Sequence, residues 1–379
     1  MADRHKVLFL IPNLQQGGAE RQILELATRL PARFEPVFCL FNDTIHYPEY
    51  LPAGEPRHVL GVNRMNRAGF RRLVDVIRAE KPQILQTYRD KTNFWGRLAA
   101  RRAPVPIVVT SVRNRAIAPL HLVTERWLTR RTDKVLTNSE GVRRELVNFA
   151  RVPPDKIQIV HNFINTDRFR PPTDDERAEA RARWQIAGDE TIFLCPGRIA
   201  FQKHQLGLLL ALSILDKRGG LPSGARLLLA GRKRDRLYAA LLAPWISWLG
   251  LEKRVRYLGS VSDMLSLYHA ADVLVLPSLY EGLPNAVLEG HACGLPAVVS
   301  HAANIDRLVV DGDTGFEAPT CNHGRLADAL GKMLALAPSD GRRMGARGRA
   351  HIVQQFSVER VLDEMVALYD RLLAEKGLS

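Results

Sequence analysis

Cysteine is scarce in this chain. There are four in 379 residues, Cys39, Cys195, Cys293 and Cys321, and none lies in a CxxC pair. Thiols so far apart give neither a disulfide framework nor a cysteine zinc site, and they read as buried thiols in a reducing cytosol. Long apolar runs are missing too: none approaches the roughly 18–20 residues that a bilayer-spanning helix needs. The opening MADRHKVLFLIPNLQQGG has a short apolar run that ends in Pro, Asn and Gln instead of a small-residue cleavage site, unlike a secretory leader. No cluster of histidine, cysteine or carboxylate has metal-ligand spacing, so neither a metal nor a cofactor is expected. No GxGxxG follows the first apolar run, and no GxxxxGK[ST] or G-x-S-x-G occurs, which argues against nicotinamide, P-loop and serine-elbow chemistry. Repeats and low-complexity tracts are absent as well.

Acidic residues are short in the first half. Before residue 174 lie 29 of the 54 lysines and arginines but only 16 of the 40 acids, so nearly all of the net charge of +14 resides there. A one-sided positive field suits an anionic partner, although a basic background explains it equally well. A nucleic-acid partner is not expected, because no recognised module or aromatic stacking motif accompanies the charge.

What the chain does have is alternation. Short β-rich runs (KVLFLI, PVFCLF, QILQT, PIVVT, KVLT) are separated by helical patterns, which predicts βαβ units and a parallel sheet. The pattern breaks at HNFINTDRFRPPTDDE (161–176), rich in proline and polar residues, where a linker is expected. A second series follows: TIFLCPG, ARLLLAG, RVRYLG, DVLVLPS and PAVVS, with a helical tail from about Gly324. The expected fold is therefore α/β, two Rossmann-like doubly wound domains facing a cleft. The first spans 1–170 and the second 171–379, with a last helix that can cross back. In such sheets ligands sit beyond the carboxyl ends of the strands.

That rule directs attention to Tyr280–Pro296, YEGLPNAVLEGHACGLP, after DVLVLPS. A helix is expected from about Pro284 or Asn285 to Cys293, with proline in its first turn and Gly294 and Pro296 ending it. Glu281 then lies in the strand-end loop and Glu289 a turn into the helix. Gly282, Leu283, Pro284 and Asn285 bring backbone N–H groups to a helix N-terminus, which suits phosphate. Carboxylates on either side can accept hydrogen bonds from sugar hydroxyls. Taken alone, two solvated acids explain the spacing equally well. A second strand-end loop, GRIAFQK, sets Arg198 and Lys203 five apart, a forked donor and a point charge able to neutralise a departing diphosphate. Two such loops in one domain carry more than either alone.

EGLPNAVLEGHACGLP resembles the E-x7-E segment of the retaining glycosyltransferases of family 4, which have the GT-B fold. GRIAFQK is similar to that family's G-R-x4-K loop, IPNLQQGGAERQILELA to its N-terminal glycine loop, TNSEGVRREL to the segment closing its first domain, and VDGDTGF to the turn after its last strands. The resemblance spans nearly the whole chain in the same order. It implies transfer of a sugar from a nucleotide-diphosphate sugar to a hydroxyl, in polysaccharide or glycolipid assembly, in the cytoplasm or on the inner face of a membrane. By it, Arg198 and Lys203 contact the donor diphosphate and Glu281 reaches the transferred sugar. Glu289 accepts bonds from the ribose, Gly282–Asn285 complete the phosphate cradle, and Gly17 and Gly18 let backbone approach donor or acceptor. The family's frequent lipid-linked acceptors give the basic first half a use. The helical stretches 69–81 and 94–102 mix basic with apolar residues, whose apolar sides are expected to pack on the sheet.

The chain departs from the family in places. Arg113 and Asn114 stand where many relatives carry a histidine, Arg307 where many carry a glutamate, and His204 follows Lys203 in place of glycine. DGD (311–313) reads as a turn and not as a metal motif. A sugar-nucleotide epimerase on the same fold and a noncatalytic nucleotide-sugar-binding protein are the alternative readings.

Overall fold

The structure, a computed structural model, describes residues 4–14, 18–45, 57–113 and 119–378. The chain forms two compact units, one of Met1–Asn162 with Glu359–Ser379 and the other of Phe163–Val358. The expected division, at 170/171, lies eight residues further on.

The first unit is built on seven parallel strands: β1 (His5–Ile11), β2 (Phe34–Leu40), β3 (Arg57–Val59), β4 (Ile84–Tyr88), β5 (Ile107–Val112), β6 (Lys134–Thr137) and β7 (Ile157–Ile159). Their spatial order is β3-β2-β1-β4-β5-β6-β7. The chain starts in the middle, runs out to β3, then returns to the other side of β1. Helices α1 (Gly18–Thr28), α2 (Arg67–Glu80), α3 (Asp90–Ala99), α4 (Pro119–Leu128) and α5 (Glu140–Asn148) connect the strands. Val7–Ile11 are wholly enclosed, as expected when both faces of a parallel sheet are covered. On α2, Leu73, Val74 and Ile77 pack into the core with Leu8, Leu10 and Leu85. Its apolar side is therefore spent on the sheet, and only its basic side faces water.

The second unit repeats the plan with six parallel strands. These are β8 (Thr191–Pro196), β9 (Ala225–Ala230), β10 (Val255–Gly259), β11 (Val273–Leu276), β12 (Ala297–Ser300) and β13 (Gly315–Ala318), in the order β10-β9-β8-β11-β12-β13. Its helices are α6 (Asp174–Arg183), α7 (Gln205–Lys217), α8 (Arg236–Trp248), α9 (Met264–Ala270), α10 (Asn285–Ala292), α11 (His323–Leu334) and α12 (Pro338–Phe356). The last helix, α13 (Val358–Glu375), belongs with the first unit from Glu359 onward. There Tyr369 is fully buried, its ring 5.4 Å from that of Phe34, and its hydroxyl bonds to Gln86.

Two expectations change. Cys39, Cys195 and Cys293 are buried, but Cys321 is exposed, at a backbone φ of +62° in the turn before α11. The stretch 161–176 is not an unstructured linker. Ile164 bridges Ser357, and Thr173 with Glu176 forms a capping box that opens α6. That helix, DDERAEARAR, is almost all polar, so periodicity gave no sign of it.

Candidate active site

In the second unit the chain reverses direction across the sheet between β8 and β11, which pair directly through Val273 with Phe193 and Leu274 with Leu194. A crevice opens at such a switch point because the flanking loops leave in opposite directions. The GRIAFQK loop follows β8 and the YEGLP loop follows β11. The backbone N–H of Leu279 donates to the Gln202 carbonyl at 2.8 Å, and the Gln202 side-chain amide donates to the Tyr280 carbonyl at 2.9 Å. Gln202 thus stitches the loops together from both ends.

The stitch brings Lys203 Nζ within 2.6 Å of Glu281 Oε1. Both side chains are nearly enclosed, 12% and 10% exposed, so each ion depends on the other to offset its lost hydration. The Lys203 stem crosses Gly197, where a Cβ would stand 3.0 Å from its Cε. Arg198 lies alongside, its carbonyl accepting from the Gln205 amide at 3.0 Å. Burial pushes its guanidinium pKa down. Arg234 and Arg232 push the same way, while Glu281 opposes them.

Arg232 and Arg234 belong to the loop after β9, on the other side of β8. The N–H of Ile199 donates to the Arg232 carbonyl at 3.0 Å, and that of Arg234 to the Ile199 carbonyl at 3.1 Å. Gly231 makes this approach possible. It has φ of +153°, and a Cβ there would meet the Gly197 carbonyl oxygen at 2.1 Å. Arg232, Lys233 and Arg234 are not among the expected site residues, although three cations directly after a strand-end glycine fall under the rule that singles out the other two loops.

Helix α10 starts at Asn285 with Pro284 as N-cap, one residue earlier than the first-turn position expected for the proline. The N-cap residue, Pro284, has no side chain able to cap this positive end of the helix dipole. Leu283 and Pro284 are buried below it, while Gly282 and Asn285 are partly exposed. Glu289, on the second turn, accepts a hydrogen bond from Tyr268 Oη at 2.8 Å. Lys203 thus holds Glu281, and the Tyr268 hydroxyl bonds Glu289. His204 takes the left-handed φ of +53° where glycine is easier, and its Nε2 lies 3.1 Å from Nε2 of His323. Arg307 is exposed, and 311–313 form a turn in which Asp313 pairs with Arg347 at 2.5 Å. No group of three or more candidate metal ligands occurs among the described residues.

In the first unit Gly18 opens α1; Gly17 and Asn114 lie outside the described residues. Arg89, at φ of +77°, pairs with Glu20 at 2.9 Å. The Arg113 guanidinium lies 5.4 Å from the Tyr88 ring centre and donates to Asn162 Oδ1 at 3.0 Å. A histidine there would offer a base; arginine offers only charge and donors.

Two family descriptions match the chain: Glycosyltransferase Family 4 over residues 16–168 and Glycosyl transferases group 1 over 176–351. The protein belongs to this family of glycosyltransferases, and its two α/β units have the GT-B fold. It is 29% identical over 305 residues, 75% of this chain, to the D-inositol 3-phosphate glycosyltransferase of Mycobacterium bovis. The chain spans 62% of the length of that relative. Among solved structures it is similar to Anabaena Alr3699/HepE in complex with UDP and glucose, with a TM-score of 0.86 and 20% identity over 97% of this chain and 100% of that one. It is also similar to sucrose-phosphate synthase from Thermosynechococcus elongatus, with a TM-score of 0.79 and 20% identity over 98% and 100%.

Proposed function

We propose that the protein is a retaining glycosyltransferase that moves a sugar from a nucleotide-diphosphate sugar to a hydroxyl, in polysaccharide or glycolipid assembly. The Lys203–Glu281 pair beside Arg198, at the switch point where α10 begins, carries this reading. A diphosphate meets Arg198, Lys203 and the α10 N-terminus. Glu281 faces the sugar being transferred and Glu289 the ribose. Uridine diphosphate, bound in the Anabaena relative, is the first nucleotide to try.

The bond from the anomeric carbon to the β-phosphate oxygen breaks as the acceptor oxygen bonds the same face of that carbon. The departing phosphate oxygen takes the acceptor's proton. Arg198 and Lys203 neutralise the charge that develops on the phosphate, which lowers the barrier because they are fixed before reaction. As diphosphate arrives, Lys203 turns part of its charge from Glu281 to the phosphate, and Glu281 gains a free oxygen for a sugar hydroxyl. One pair thus links donor binding to sugar recognition. A lipid-linked acceptor fits the basic first unit.

Calorimetry with uridine and guanosine diphosphates, together with donor turnover, tests the assignment in two variants. Glu281→Gln should keep or raise nucleotide affinity, because Lys203 loses its competing partner, and should depress kcat. Glu289→Gln should weaken both the free nucleotide and the donor. The reverse pattern exchanges the two roles; no effect in either variant removes both glutamates from the donor site.

A further inference from the structure

Helix α8 leaves the β9 loop with an apolar side turned to water. Leu237 is 84% exposed, Leu241 47% and Trp248 76%. With exposed Pro244 they fall at i, i+4, i+7 and i+11, a single stripe roughly 16 Å long at 1.5 Å per residue. Exposed Ala240 and Ala243 widen it, and the opposite side, Tyr238, Ala239 and Leu242, is buried in the core. Phe201, 61% exposed, stands edge-on to the Tyr238 ring at 6.2 Å and extends the patch beyond the helix start.

The charge at the start of the stripe is mainly positive. Arg232, Lys233, Arg234 and Arg236 gather at the N-terminal end of α8, and none of the four has a carboxylate partner among the described residues. Lys233 lies over the Tyr257 ring at 5.3 Å. Asp235 is used as the helix cap, on the Tyr238 N–H. No acid occurs on α8 itself; Glu252, beyond its far end, accepts a bond from Ser247 at 2.7 Å. Monomeric proteins rarely expose a contiguous apolar stripe of this kind without a partner. Leucines and a tryptophan on one side of a helix, with a cationic rim, match the acyl–headgroup boundary of an anionic bilayer: the apolar side chains enter the boundary while the cations meet lipid phosphate. A second copy of the chain would bring the same four cations to the contact.

We infer that the outward face of α8, with Phe201 and the Arg232–Arg236 cations, is a docking surface for an anionic phospholipid membrane. It lies on the second unit, whereas the charge excess of the chain lies in the first half.

The test is co-sedimentation of the full chain with phosphatidylcholine vesicles, with and without phosphatidylglycerol, at low and high salt. The protein should bind the anionic vesicles, and salt should weaken binding. The combined variant Leu237→Ser, Leu241→Ser, Trp248→Ser should lose at least about tenfold in partitioning, because bound area sets the affinity. Lys233→Glu with Arg236→Glu should weaken binding to anionic vesicles and flatten its salt dependence. Unchanged cooperative melting of each variant verifies the fold. Three results overturn the inference: no preference of the wild-type protein for anionic vesicles; binding unchanged in the α8 variants but lost on Trp127→Ser with Arg130→Glu in the first unit; or no vesicle binding together with a dimer that the serine variant converts to monomer.

Discussion

At the scale of single residues, the ion pair of Lys203 and Glu281 lets the proposed catalytic role be tested apart from stability. Arg198→Ala and Lys203→Ala should each lower kcat by about 10²–10³, the usual effect of losing one charged donor in a catalytic pocket. Their stabilities should part company. Lys203→Ala strands a nearly buried carboxylate, while Arg198→Ala relieves guanidinium repulsion from Arg232 and Arg234. Urea midpoints should therefore fall for Lys203→Ala and hold for Arg198→Ala. The motif singles these residues out in the sequence. Their pairing was not legible, because 78 residues separate them and only the β8–β11 register brings them together.

His291 gives a second test at this scale. It is fully enclosed on α10, its Nδ1–H donating to the Leu295 carbonyl at 2.9 Å, and burial holds its pKa down at about 4. Burial lowers His204 and His269 as well. A depressed histidine pKa means that the unfolded chain binds the proton first. Stability is complete above the unfolded value near 6.5 and is lost as pH falls from there towards about 4. His291 alone accounts for about 3 kcal/mol over that range, an order-of-magnitude figure. Urea midpoints at pH 7.5 and 5 should show the loss, and His291→Gln should reduce the slope.

At the scale of elements, the loops after β8 and β9 depend on the glycine contact between them. Gly231→Ala places a methyl against the Gly197 carbonyl, so the backbone has to move, and Arg198 moves with it. Nucleotide affinity should fall at least about tenfold while the protein stays folded, because a small displacement in a preorganised site is felt strongly. Calorimetry and a melting curve check both halves. The strands were legible because both-face burial in a parallel sheet demands unbroken apolar runs. Helix α6 was not, since its polar sequence is held by its cap and by Arg177 and Arg181 on Asp272, contacts far apart in the chain. The helix near 235–249 was legible, but its exposed side was not: α8 is apolar nearly all round, and only packing decides which stripe remains outside.

At the scale of the molecule, two α/β units were expected from a break in alternation, and the reversal of strand order places each switch point between the first strand of a series and the strand that returns beside it. The last helix completes the first unit from the far end of the chain. Tyr369→Ala should cost about 3–5 kcal/mol, as removal of a large buried aromatic does, and should lower the melting of the first unit specifically, which amide hydrogen exchange can resolve. Residues 163–358, expressed alone, should melt cooperatively, whereas 1–162 alone should not.

This interleaving bears on how the protein is made. Translation produces most of the first unit, then the whole of the second, and only afterwards Glu359–Ser379. On the ribosome the later-encoded unit can therefore fold before the earlier one is complete, against the usual order in which the N-terminal domain folds first. Until Glu359–Ser379 emerge, Phe34 and Gln86 lack the Tyr369 ring and hydroxyl that they receive in the folded unit. A nascent chain stalled just before residue 359 is the stage at which a chaperone would have most to hold.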